Sequence, residues 1–455
     1  MFAQTSDCIL AGVDSTYLNN QIKIVKLCDS LIAGPATDLQ YFLVRGAARL
    51  EIGDFNGADN DFARVISGDS SFVIAYYSRG ISRLALGDTF GAIANLDKSI
   101  QLNPMYGDAF CNRGIIRLNM GNSELALSDF DEAIRINKLD SKYHNNRGLL
   151  FFRQGNFETA IRNYDKAILL SPNDKKLHYN RGLAYYEVKN YQDAIEEFSY
   201  EIKLKGICDS YFWRGLAYFK IEKFELAKSD FDRAIELSPK DPFSYHNRGV
   251  SKIELKDLVG AKKDLDQAIK IDTNHPKTHF QRSRIFFMMN DYLNAEKDLK
   301  VAIKLDSTDV KAFYNLGLTY SKQKKPNMAI EAYSQAIKFD SNYAQAYYSR
   351  GYVKKDLKRY REAIKDFDNA IYKNPIYMEA FVWKAFSHSQ LKEFKLALST
   401  SNKLVELKPE MPEVYISRGM IEIEAGQTSS ACIDFKKALS LGDTEVKEMI
   451  EYYCK

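Results

Sequence analysis

A small residue recurs along this chain with a period that leaves room for little else. Gly46, Gly80, Gly114, Gly148, Gly182, Gly215, Gly249, Ser283, Gly317, Gly351, Ala385 and Gly419 stand 34 residues apart, save for one interval of 33. Twelve residues after each comes an alanine, from Ala58 and Ala92 through to Ala397 and Ala431, without exception. Such a period predicts one supersecondary unit repeated twelve times rather than a set of unlike domains. In the stretch from Tyr179 to Ile202, apolar residues return every three or four positions on either side of Lys189-Asn190. That pattern predicts two amphipathic helices joined by a tight turn. Helices of about a dozen residues are marginal alone, so each unit must cover its apolar stripe with its neighbours. Small residues are expected where backbones approach closely, the glycine of the first helix facing the alanine of the second.

Further positions travel with the glycine. Four residues before it stands an aromatic (Phe42, Tyr76, Phe110, Tyr211, Tyr245, Phe313, Tyr347, Phe381, Tyr415) or a histidine (His144, His178, His279). Sixteen after it come Phe62, Phe130, Tyr164, Phe198, Phe231, Tyr333, Phe367 and Phe435, and Pro104, Pro172, Pro239, Pro375 and Pro409 close five of the units. This pattern resembles the tetratricopeptide repeat over roughly residues 39 to 444. The resemblance implies an all-α, right-handed superhelical α-solenoid of twelve helix-turn-helix repeats, with the first helices lining a concave groove. Residues 1–38 are then expected to hold a capping helix or a degenerate repeat, with Leu18, Ile22, Val25, Cys28 and Ile32 on its covered face. Residues 445–455 are expected to form a C-terminal capping helix with Met449, Ile450 and Tyr453 turned inward. The 33-residue interval falls near Gly206, where a shortened loop is expected ahead of a hinge.

One departure from the family pattern is systematic. The residue before the glycine, usually leucine, is arginine in ten units, and sixteen residues after that arginine stands Asp, Asn or Glu every time, as in Arg113 and Asp129 or Arg147 and Asn163. Where the arginine becomes Leu316 its counterpart is Ala332, and Lys384 stands opposite Thr400. In an antiparallel pair with its turn midway these positions face each other. An arginine-to-acid bridge inside each unit is therefore expected as a structural feature.

The resemblance also places a partner site. Carried over residue by residue, the groove positions are Tyr77, Ile81, Leu84, Ile115, Leu118, Leu149, Phe152, Tyr179, Leu183, Tyr186, Phe212, Leu216, Phe219, His246, Phe280, Tyr314 and Tyr348. Family members that clamp a terminal carboxylate place asparagine just after the glycine. Here that slot is mostly aliphatic, so the expected ligand is a protein or peptide segment with apolar anchors. The runner-up readings are an RNA-binding helical repeat and a self-assembling structural protein. No catalytic residue, cofactor or metal site is expected: there is no phosphate loop, no HExxH and no nucleophile elbow. His144, His178 and His279 read as buried substitutes for the aromatic.

Charge narrows the partners. With 64 basic and 60 acidic side chains the net charge is only +4, which gives no case for nucleic acid. No apolar stretch is long enough to enter a bilayer. A monomer or weak homo-oligomer in the cytoplasm is the plain expectation, with the periplasm or secretion as the alternative if an upstream signal peptide precedes this sequence. Cys8 and Cys28 near one end, and Cys432 and Cys454 near the other, would suit terminal disulfides in that second case.

Overall fold

The structure, a computed structural model, describes residues 15–33, 38–204 and 208–455. Among these residues there are helices and no strands. Twelve pairs match the predicted units. The first helices, from Leu39–Glu51 to Pro412–Glu424, are each 13 residues long, and the second helices run to 13 or 14. A helix precedes the pairs, Ser15–Ile32, and another comes after them, Val446–Tyr453. The chain divides into two compact units, Met1–Pro239 with repeats 1 to 6 and Lys240–Lys455 with repeats 7 to 12. In each, every repeat packs its two helices together and its second helix against the first helix of the next repeat. Successive first helices also approach each other, and no successive second helices do so to the same extent among the described residues.

The turn inside each repeat needs one left-handed residue. Gly53, Gly87, Gly121, Gly155 and Gly426 supply it in five repeats, and Lys189, Glu222, Lys256, Asn290, Lys324, Lys358 and Lys392 adopt φ of 58 to 64° in the other seven. An L-residue there is strained by roughly 1–2 kcal/mol, which the packing of the pair offsets. Aspartate or asparagine then caps the second helix in many repeats: Asp54 accepts from the Gly57 amide, Asn156 from Thr159, Asp257 from Gly260 and Asp291 from Asn294.

All twelve alanines have no exposed surface. They are not, however, what the glycines face. A Cβ built on Gly46, Gly148, Gly182 or Gly419 would meet the ring of Phe62, Tyr164, Phe198 or Phe435 at 2.6–2.8 Å. The glycine thus makes room for the edge of the aromatic sixteen residues on, because that ring lies across the first helix. Only where leucine replaces the ring, at Gly80 and Gly249, does the alanine carbonyl come among the nearest atoms. The exceptions fit this packing: Ser283 has Leu299 sixteen on and Ala385 has Ser401, smaller partners for larger neighbours.

The N-terminal helix departs from expectation, and the C-terminal one follows it. Among the described side chains of Ser15–Ile32 only Cys28 is buried, Val25 and Ile32 are half-covered, and Leu18 and Ile22 lie exposed. The helix that covers it, Leu39–Glu51, is five residues shorter, so the first turns of an approximately 27 Å rod run past their cover. At the other end Val446 is buried, and Met449, Ile450 and Tyr453 pack against the cluster around Tyr415 and Phe435. Asp443 caps this helix through the amides of Glu445 and Val446, and a Cys432–Cys454 disulfide ties it to the last repeat. Cys28 is a free thiol, whereas Cys8 and Gly206 lie outside the described residues.

Gly182→Ser should cost about 1–3 kcal/mol through overpacking against Phe198, whereas the reverse change at the equivalent slot, Ser283→Gly, should cost less than about 1 kcal/mol. Urea melts of both variants check this, and equal losses would contradict it.

Candidate functional site

The arginines build the polar side of ten of the twelve repeats. Nine of the ten meet the expected partner: Arg113 donates from Nε and Nη2 to Asp129 at 3.1 and 2.6 Å, Arg214 to Asp230 at 2.8 and 2.7 Å, and Arg350 to Asp366 at 3.0 and 2.6 Å. Parallel double hydrogen bonds use the planar fork that lysine lacks. The guanidinium also lies over the aromatic three residues before it, 5.4 Å from the Phe42, Phe110 and Tyr245 rings. Arg79 is the exception. It turns away from Asn95, whose amide donates to the Gly91 carbonyl, and joins Arg83 on Asp59. A neutral amide attracts the guanidinium less than that carboxylate.

The same arginine reaches backwards. Nη1 of Arg113 lies 2.6 Å from Asp97, that of Arg147 2.6 Å from Asp131, that of Arg181 2.6 Å from Asp165 and that of Arg282 2.8 Å from Asp266, each on the second helix of the preceding repeat. Arg45 holds Asp29 in this way, which binds the helix Ser15–Ile32 into the same register. The backward link escaped sequence reasoning, although the Asp129-x-Asp131 and Asp264-x-Asp266 spacings carried it. Repeat 9, with Leu316, makes its junction differently: Glu296 accepts from Lys300 and Lys325. Despite the burial that opposes it, these bonds hold the Glu296 carboxyl down at about 2.

Balance differs from repeat to repeat. Burial outweighs Arg214 and pushes the Asp230 carboxyl above its ordinary range. Burial pushes Asp298 the same way, but Arg282 and His279 together overcome it and bring that carboxyl down. His178 and His279 each place Nδ1 near an acid of their own repeat, Glu197 and Asp298, and Nε2 near a carbonyl six residues back. His144 places Nε2 near the Lys138 carbonyl, the place the Tyr415 hydroxyl takes by donating to Pro409. These are side chains serving the helix junction.

The seventeen groove positions lie on the first helices. Leu118 is buried and the other sixteen are half-buried. Their rings pack along the repeats: Tyr77 on Tyr106 at 5.0 Å, Tyr186 on Trp213 at 5.3 Å, Tyr314 on Tyr343 at 5.1 Å and Tyr348 on Tyr377 at 5.0 Å. Tyr106, Tyr343 and Tyr377, at the starts of the next first helices, were missed from sequence, as was an amide row two residues before the glycine. In that row Asn112 donates to the Tyr77 hydroxyl and the Asp108 carbonyl, Asn146 to the Cys111 sulfur and Asn180 to the Asn145 amide oxygen. Between the first helices of repeats 9 and 10 the face opens into a cleft of about 590 Å³ bounded by Leu318, Ser321, Tyr333, Tyr348, Tyr352 and Asp356.

His246 belongs to this face. Its Nδ1 lies 3.0 Å from the Thr278 hydroxyl, which His275 also meets at 2.6 Å, and the two imidazoles are 5.2 Å apart. Burial drives the His246 imidazole down to about 3, with His275 and Lys277 adding to the effect, and burial lowers His275 too.

A stack of helix pairs with a polar rung in nearly every repeat defines a helical-repeat protein. Models described as tetratricopeptide repeats match residues 111–161, 208–241, 310–343 and 344–377, and one described as a TPR repeat matches 148–189. These stretches of the chain are tetratricopeptide repeats. No curated protein sequence matches it. Among solved structures, a tetratricopeptide repeat protein from Parabacteroides merdae is 19% identical, covering 55% of this chain and 99% of its own, at a TM-score of 0.43. Yeast Tom70 is 17% identical over 90% of this chain and 93% of its own, at 0.39. The APC/C hetero-tetramer Cut9-Hcn1 is 11% identical over 95% and 99%, at 0.44.

Arg214→Leu should cost about 3–5 kcal/mol by leaving Asp230 buried without its cation. Adding Asp230→Ala, the pairing that repeat 9 uses, should recover much of that loss, and strictly additive losses in the double-mutant cycle would refute the pairing. His246 and His275 hold fewer protons folded than unfolded, so stability is full above the unfolded value near 6.5 and falls as pH drops below it. His246→Phe, the ring type that Phe212 and Phe280 place in this slot, should flatten the decline of Tm with acidification. An unchanged slope would exclude His246 as its source.

Proposed function

We propose that this chain is a noncatalytic scaffold that binds a protein segment along the first-helix face of its repeats. The observation that carries the reading is the half-buried state of Tyr179, Leu183, Tyr186, Phe212, Tyr314 and Tyr348. Each is fixed by packing on one side and open on the other, so a ligand would meet apolar anchors whose ordering cost has been met in folding. The cleft between repeats 9 and 10 offers one pocket for such an anchor. The amide row through Asn112, Asn146 and Asn180 adds hydrogen-bonding groups beside the rings, which suits an extended backbone.

Partners are then protein segments with spaced apolar side chains. An RNA groove is less well supported, because the face mixes Asp108, Glu187 and Asp356 with its basic residues. The Cys432–Cys454 disulfide favours an oxidising compartment over the cytoplasm for at least the C-terminal cap. Among the described residues no helix is long and apolar enough to cross a membrane.

A peptide library displayed on phage and selected on the intact chain should yield ligands with spaced apolar residues. Their affinity should fall at least about tenfold, or 1.4 kcal/mol, in a Leu149→Glu and Leu183→Glu variant with unchanged Tm. Selected peptides that bind both proteins equally would remove the first-helix face as the site.

A further inference from the structure

Repeat 11 breaks the arginine rule on one side only. In repeat 9 both members of the pair are replaced, and Leu316 and Ala332 close the gap as buried apolar side chains. In repeat 11 the cation stays as Lys384 while the carboxylate is lost to Thr400, whose hydroxyl donates to the Leu396 carbonyl at 2.8 Å. Lysine carries one ammonium where arginine carries a fork. Lys384 spends it on the backward link, 2.7 Å from Asp368. The in-repeat seat that an Asp, Asn or Glu occupies in ten other repeats is therefore left to Thr400, and a cleft of about 720 Å³ opens there. Lys384, Lys395, Lys403, Ser399, Thr400 and Asn402 line it. The acids nearby are Glu406, 3.0 Å from Lys403, and Asp368 on Lys384.

We propose that this cleft binds a carboxylate side chain from an acidic segment of a partner protein, taking the place of the aspartate that repeat 11 lacks. The chain itself shows which group the seat accepts, since in seven repeats both oxygens of an aspartate carboxylate lie against the arginine fork, as at Arg418 and Asp434. An ammonium has three donors, so Lys384 can hold an incoming carboxylate together with Asp368. Lys395 and Lys403, on the outer side of the second helix, would steer an acidic segment in and weaken their hold as salt is raised. This surface is separate from the first-helix face, so the two proposals fail independently.

The test uses the full chain and a fluorescein-labelled hexaglutamate peptide, read by anisotropy at low salt. The wild type should bind, and Thr400→Asp, which restores the seat's own carboxylate beside Lys384, should weaken binding at least about tenfold while raising Tm. Lys395→Ser, an exposed change that leaves the fold alone, should weaken it about threefold. A Thr400→Asp protein that is stabilised yet binds the peptide as before would overturn the proposal, as would unchanged binding by Lys395→Ser. Free glutamate competing as well as the peptide at equal carboxylate concentration would overturn the assignment to a protein segment. An oligothymidylate that competes better than hexaglutamate would instead mark a general polyanion surface and sink the carboxylate seat.

Discussion

A pair of helices of 13 or 14 residues cannot cover its own apolar stripe, and every other feature of this chain answers that constraint. Within each compact unit a repeat borrows cover from its neighbour, so its stability resides as much in junctions as in the repeat itself. The junction has an apolar and a polar component. The apolar one is the ring or leucine lying across a glycine, with a fully buried alanine beside it. The polar one is the guanidinium, which binds an acid of its own repeat through one edge and a side chain of the preceding repeat through the remaining nitrogen. The inner carboxylates, Asp61, Asp129 and Asp264, are nearly inaccessible, whereas the backward partners Asp97, Asp131 and Asp165 are about half exposed. The inner bridge therefore sets the geometry of the pair, since a lone buried charge is costly. The outer one contributes little by itself, since solvent screens it.

The fold was legible because a repeated sequence states each rule many times. Twelve alanines at one spacing predict twelve buried alanines, and Leu316 with Ala332 identifies the arginine bridge by its joint absence. The positions that sequence misplaces need a direction as well as a spacing. That Gly46 faces Phe62 and not Ala58 depends on which way a side chain leans from its helix, which spacing alone does not state. Arg79 departs for a different reason: Asn95 satisfies the same spacing as an aspartate but carries no charge, and Asp59 was available one repeat back. On the first-helix face, residue type alone could not separate rings that fill the junction from rings that also meet solvent. Tyr77, Tyr314 and Tyr348 prove to do both.

In a repeat protein the departures carry more information about function than the consensus does. A residue present in every repeat serves the junction, and binding to one partner in one register requires positions that differ along the array. The arginine rung is nearly uniform, which argues for a structural role, and so does the alanine. The slot four residues after the glycine is not uniform: Leu50, Leu84, Leu118, Phe152, Tyr186, Phe219, Ile253, Phe287 and Ile423 fill it in nine repeats, and Ser321, Lys355 and Ser389 in the other three. There Lys355 is buried with its ammonium 3.8 and 3.7 Å from the Tyr352 and Trp383 rings. The slot therefore keeps an apolar side chain in nine repeats and takes a hydroxyl or a sequestered cation in repeats 9 to 11. Departures confined to three successive repeats are what recognition in one register requires, whereas the alanine serves all twelve repeats alike.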